Sequence, residues 1–498
     1  MYETALAFSV LCLGLVGFYF LRSPYFSLFH PLTIYIAFHG FIFVIRPILA
    51  LIYDYQYIYR GYDFNPSASD KLTVILASNL GFLVFSFFCL RTGSVAMKFK
   101  QDAFGIAERN RLARIFIWVA AICVPIGIYS LATLWLEASQ GVAQGDMAID
   151  KGTGTIINTG GNGYLAEAQL MLASCSAMVA WLFRFRLVAI MPLLFFVIFR
   201  AGTGGRGPFV TAMVTVGLLY LYEHRRKVFT LRVGLLLVGA VALFNAIGTD
   251  RGDALRRWVL NDTSGAVYEQ ADLNMHPLEG MDFGNLEYFE YLVYAIPQRT
   301  HTYGHFIDVL QLFTEPVPRV LWANKPIGAP FNQIFLFKYG TPFGMTRSLP
   351  GQGWYSFGWP GVIIWCGIWG YALGALYRRF VQGPQNTLQT AAYMIFLPIL
   401  IIGYRDGTLV TLARQSLFFL GPIVVWYFVA RYLGIPSAQE MRSAFARKLR
   451  HQQTIEAQPD PPQIAEQSGA AAVLPSSRLP AAVERRRRAL AQLSKGAA

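Results

Sequence analysis

Apolar runs of about twenty residues recur along most of this chain, and nothing else in it restricts the fold so strongly. Wound as a helix, such a run covers the ~30 Å hydrocarbon core of a bilayer. A lipid-embedded backbone must satisfy its own hydrogen bonds, so helices are the natural solution. Composition agrees: 55% of residues are hydrophobic and only 14% charged, where an ordinary soluble protein has about a quarter charged. That balance excludes a disordered, collagenous or disulfide-stapled chain and argues against a multidomain soluble enzyme. The expectation is an all-α, polytopic integral membrane protein.

Eleven spans are expected: Glu3–Leu21, Pro31–Tyr53, Leu72–Leu90, Ala113–Leu136, Tyr164–Phe183, Leu187–Phe199, Gly207–Tyr222, Val233–Gly248, Trp354–Tyr377, Leu388–Tyr404 and Thr408–Leu433. The first lacks a basic n-region and an A-x-A cleavage site, so it is expected to be a mature helix. Leu187–Phe199 is the shortest, below the roughly 17 residues a span usually needs. It is kept because, if it did not cross, the basic groups Arg225–Lys227 and Arg378–Arg379 would fall on the wrong side. Residues 1–248 thus carry eight spans, 249–352 form one large loop, 353–433 carry three more, and 434–498 form a tail.

Lysines and arginines in short loops set orientation. One side carries fifteen: Arg22, Arg91, Lys98, Lys100, Arg109, Arg111, Arg114, Arg184, Arg186, Arg225, Arg226, Lys227, Arg232, Arg378 and Arg379. The other carries six: Arg60, Lys71, Lys151, Arg200, Arg206 and Arg405. The first side is expected in the cytoplasm, with the N-terminus outside and the C-terminus inside. The net charge of +14 therefore reports topology and is no sign of nucleic acid. The tail holds a short helix at Ala438–Gln452 and is otherwise expected to be disordered. Its basic residues either follow the positive-inside trend or bind anionic lipid. The five cysteines lie in apolar runs and form no CxxC pair.

The large loop is expected to be ordered on the outer face. Leu286–Ala295 and His305–Phe313 have the pattern of amphipathic helices lying against the membrane or over a cavity. Few charges fall away from the span ends: Arg46 before Pro47, Glu167 toward the outer end of the fifth, and Arg414 in the outer half of the last. Arg46 either pairs with a carboxylate or steadies the bundle. No pseudo-symmetric halves of a transporter stand out.

Against the positive-inside rule, arginines gather on the expected outer face. Arg200 and Arg206 bracket the turn RAGTGGRGPF, whose glycines suit a backbone nest for an anion. Arg251 lies in GTDRGD, Arg299 in PQRTHTYGH, Arg319 and Lys325 in PVPRVLWANKP, Arg347 in GMTRSLPG, and Arg405 at the end of the tenth span. A guanidinium is a fixed cation with a planar donor fork matched to phosphate. The loop's own eleven acids and eight bases offer the alternative of internal ion pairs. A general base can come from Asp250, Asp253, Glu287, Glu290, Asp308, Glu315, His301 or His305; Glu315, Asp253 and His301 are the chosen catalytic candidates. His301 and His305 would share a helical face, but no HExxH accompanies them and no metal is expected. Loop aromatics such as Trp322, Phe331, Phe335 and Trp354 either stack on sugars or belong to the core.

The stretch TEPVPRVLWANKPIGAP, followed by PGQGWYSFGWPGVIIWCGIWG, resembles bacterial O-antigen and exopolysaccharide repeat-unit polymerases of the Wzy type. The matching points are Pro318–Arg319, Lys325–Pro326 and the FGWPG run from Phe357 to Gly361. The resemblance is firmest over Thr314–Gly370, looser over Arg200–Gly252, and absent from the tail. Where relatives often carry an acid six residues before the FG glycine, this chain has Gln352.

The resemblance implies a GT-C-like, metal-independent membrane glycosyltransferase in the bacterial inner membrane. Such an enzyme would move a growing glycan from undecaprenyl pyrophosphate onto another lipid-linked repeat unit, needing no cofactor. Its implied partners are the undecaprenyl-pyrophosphate-linked oligosaccharide, the bilayer and a chain-length regulator protein. An O-antigen ligase-like transferase and a polysaccharide flippase remain alternatives. A flippase would need charge across the bilayer, whereas here it concentrates on one face.

Overall fold

A computed structural model describes residues 1–100, 102–139, 147–149, 156–158, 167–201, 207–231, 283–317, 334–340 and 346–456, with isolated positions between 234 and 331. The described chain is helical apart from a two-stranded antiparallel hairpin, β1 (Met147–Ile149) with β2 (Ile156–Asn158). Among the described residues, seven helices are long and apolar enough to cross a membrane. They are α1 (Tyr2–Arg22), α2 (Pro31–Tyr53), α3 (Ala68–Gly93), α4 (Ala103–Ser139), α9 (Leu349–Gln382), α10 (Thr387–Asp406) and α11 (Leu409–Tyr432). Three shorter apolar helices join them: α5 (Leu170–Leu182), α6 (Leu187–Ala201) and α7 (Gly207–Glu223). Asn285–Ala295 is α8 and Ala438–Glu456 is α12. The expected span Val233–Gly248 lies almost wholly outside the described residues. Large apolar side chains such as Leu15, Trp118, Phe195 and Phe428 remain exposed on the bundle, as lipid-facing surfaces require. The chain is a multi-pass membrane protein.

Local signals set the helix ends. Ser67 and Asp70 form a reciprocal capping box before α3, satisfying two orphan amides. His30 caps α2 ahead of Pro31 at its first position. α10 stops at Gly407, whose φ of 72° puts it in the left-handed region, where a glycine costs least. Within α2, a π-turn covers Gly40–Ile45 just before Arg46 and Pro47. A proline ring crowds the carbonyl four residues back, and the wider turn makes room for it.

The core runs through α3 and α9, the most closely packed pair. A Cβ at Gly370 would strike the Phe85 carbonyl, and one at Gly374 the Thr92 hydroxyl and the Cys89 backbone. These two glycines form a GxxxG step that lets the helix backbones meet. α9 is itself broken: Phe357 and Gly358 are non-helical, with Gly358 at φ 62°. Residues eight apart in a straight helix lie about 12 Å apart. Here a Cβ on Gly353 would come within 2.6 Å of the Val362 Cα, and Gly361 abuts the Gly353 carbonyl. The first arm of α9 therefore folds back on the second. The amides of Gly304 and His305 donate to the freed Tyr355 and Ser356 carbonyls at 2.8 and 3.0 Å.

Among the described residues, several of the basic loops gather at one end of the bundle. At that end Lys100 caps the Gln382 and Gly383 carbonyls, Gln385 binds the Lys98 carbonyl, and Arg109 pairs with Glu223 at 2.5 Å. There α12 docks through Arg442 on Asp102 at 2.7 Å and Phe445 on Phe104. Arg442 holds the Asp102 carboxyl below its usual range and is itself raised by the pairing. α6 runs from this end, where Phe185 meets Tyr220, to the other, where Phe199 meets Trp135. The shortest expected span thus traverses the bundle, although fifteen residues cover only ~22 Å.

Two expectations for the large loop need correction. Leu286–Ala295 does form a helix, but α8 does not lie amphipathically on a surface. Ten of its eleven residues are buried, wedged against α2, α3 and the first arm of α9. Nor do His301 and His305 share a helical face; both are exposed turn residues with positive φ. In His305–Phe313, only Ile307–Leu310 and Gln311–Thr314 wind into single turns. The boundary at residue 352 also moves, since α9 begins at Leu349.

Candidate functional site

The hairpin of α10 and α11 places Arg405, Asp406 and Arg414 at the end of the bundle opposite the basic loops. Thr408 caps α11, so Arg414 lies little more than one turn inside it. Its side chain sits between two acids from different segments. Nε is 3.6 Å from Glu167, which precedes α5, and Nη1 is 3.8 Å from Glu315 of the large loop. Gln415 donates to Glu167 at 3.4 Å and Gln311 to Glu315 at 3.2 Å. Lys325 ties the segment down, its Nζ on the carbonyls of Glu315 at 2.8 Å and Val317 at 3.1 Å. Arg200, ending α6, is within electrostatic reach of Glu167.

Arg405 and Asp406 stand beside this group. Arg405, Arg414, Thr346 and Thr411 surround the Asp406 carboxyl. Among the described residues Arg405 forms no ion pair, and its buried Nε lacks a hydrogen-bond partner. Its carbonyl is held by Asn285 Nδ2 of α8 and by the Ser348 amide, both at 2.8 Å. Gly407 allows this approach, since a Cβ there would collide with the Ser348 carbonyl.

The structure therefore brings together Glu315, Arg200, Lys325 and Arg405 from the expected set, joined by Arg414 and Glu167. It sets others apart. Arg347 is buried at 4% exposure, donating to Asp308 at 2.8 Å and Gln352 at 2.6 Å, with its guanidinium over the Tyr355 ring. Gln352 closes the triangle onto Asp308 at 2.6 Å. This network clamps the loop to the first arm of α9. Arg299 packs on the Tyr294 ring at 3.4 Å, and His301 is exposed nearby. Arg206, Arg251, Asp253 and Arg319 lie outside the described residues. Glu287, Glu290 and Asp308 are buried and partnered. No group of three potential metal-binding side chains occurs among the described residues.

Arg414 and Glu315 were both visible as unusual residues, but their meeting was not, because about a hundred positions separate them. The adjacent polar pair Arg414–Gln415 inside an apolar span was the available signal.

Chemically, the cluster joins partly exposed cations to a half-buried carboxylate. Arg414 is 34% exposed on its side chain, and its ion pairs are long enough for an entering oxyanion to compete with them. Comparison with protein-family models, curated proteins and solved structures finds no match.

Proposed function

We propose that this membrane protein polymerises undecaprenyl-pyrophosphate-linked oligosaccharide repeat units, working at the outer face of a bacterial inner membrane. The observation that carries this reading is Arg414 set between Glu167 and Glu315, with Arg405 and Arg200 beside it. The resemblance over Thr314–Gly370 supports the same reading. Arg405 and Arg414 stabilise the charge growing on the pyrophosphate leaving group, as fixed cations do without reorganisation. Glu315 accepts the proton of the attacking sugar hydroxyl. Arg206, Arg251 and Arg319 extend the pyrophosphate grip, and the fifteen-to-six basic asymmetry supports the sidedness.

Losing one charge-stabilising contact of this kind costs on the order of 3 kcal/mol, about a hundredfold in rate. Arg414→Ala is expected to insert normally and leave cells with glycan capped at a single repeat. Arg414→Lys is expected to restore only part of the chain length, because the ammonium lacks the planar fork. Gel profiles of the surface glycan read both. Normal long chains in the alanine variant would overturn the proposal. Long polymer retained on the lipid carrier after deletion of the protein would replace it with a ligase.

A further inference from the structure

Away from that cluster, α8 carries two buried carboxylates one turn apart, Glu287 and Glu290, each at 1% exposure. One guanidinium serves them. Arg46 grips Glu287 with Nε 2.9 Å from both oxygens and Nη2 at 2.7 Å, and its remaining donors bind the Leu278 and Glu279 carbonyls. Among the described residues, Glu290 receives a hydroxyl alone, Tyr59 Oη at 2.5 Å. Among the described residues it has no ion pair. Lys71 of α3 is nearby, but its ammonium sits over the Tyr59 ring, 4.5 Å from the centroid. The Tyr2 phenol of α1 faces both acids, and the first arm of α9 presents Gly351 and Trp354, neither of which titrates. Burying a second negative charge without a cation is costly, and a proton removes the cost.

We infer that Glu290 is a proton-operated catch: with its proton the carboxyl keeps α8 closed in the bundle, and without it α8 opens more readily and loosens its hold on Arg405. The link to Arg405 is direct, because Asn285 at the start of α8 donates to its carbonyl at 2.8 Å. Nothing in this depends on which reaction the cluster carries out. Burial raises the Glu290 carboxyl from 4.5 to about 7, with Glu287 adding to the rise and Lys71, Tyr59 and Arg46 opposing it.

A carboxyl raised in the closed state favours closure at low pH. The opening constant of α8 then climbs about tenfold per pH unit above the exposed value of 4.5 and levels off near 7.

Hydrogen exchange of residues 285–295 tests this on the full chain in phospholipid nanodiscs, normalised to intrinsic exchange. From pH 5 to 7 the opening constant is expected to rise about fortyfold. Glu290→Gln is expected to abolish the rise and keep α8 protected. Tyr59→Phe removes the hydroxyl that favours the ionised form, so the level-off is expected to move above pH 7. A flat wild-type profile, a Glu290→Gln variant that keeps the slope, or a Tyr59→Phe variant that leaves the level-off in place would each overturn the catch.

Discussion

Arg46 shows how a charge inside an apolar run is settled. Its guanidinium and the Glu287 carboxylate are each 2% exposed, so neither is solvated and each depends on the other. Removing one partner from such a pair costs about 3–5 kcal/mol, whereas replacing both with apolar groups is often neutral. Arg46→Ala is therefore expected to lower the unfolding midpoint in detergent sharply, and Arg46→Met with Glu287→Leu to recover most of it. Equal loss in the double variant would mean the pair does more than cancel its own charges. At Arg347, Nη1 likewise donates to both Asp308 and Gln352, which fastens the loop to the first arm of α9.

Between elements, the α3–α9 contact depends on having no side chain at two positions. Gly370→Val would drive a branched side chain into the Phe85 carbonyl, and overpacking a tight site costs typically 1–3 kcal/mol. Here the obstacle is backbone, which yields less than a side chain. A clear loss of thermal stability is expected, with Gly14→Val as the control, because nothing lies within 4 Å of that position. Comparable melting of the two variants would refute the close-contact role. Gly370 and Gly374 did not stand out in the sequence, because their spacing gains meaning only from the backbone they meet. Nor did the break at Phe357–Gly358, since Pro360 suggests a helix start as readily as a fold-back.

Across the whole molecule, the fifteen basic loop residues and the six opposite them predict which end faces the cytoplasm. The five native cysteines are all buried, so background labelling should be low. A cysteine at Gly280 is expected to react with an impermeant thiol reagent in intact spheroplasts, and one at Gly383 only after lysis. The reverse pattern would invert the bundle and take the outer-face cluster with it.

The sequence determined the membrane class and most of the helices, because an apolar run of bilayer length leaves the backbone few alternatives to a helix. It also marked Arg414, Glu167 and Glu315 as unusual. Tertiary structure decided which charges meet. Glu287 and Glu290 have the spacing of an amphipathic surface helix, yet α8 is enclosed, because Arg46 and Tyr59 supply partners that local pattern cannot reveal. Likewise Arg405 joins α8 and the first arm of α9 through its carbonyl, a contact made possible by Gly407 and by chain segments far apart in sequence. Periodicity records whether a position is apolar; ion pairing depends on what the rest of the fold places opposite it.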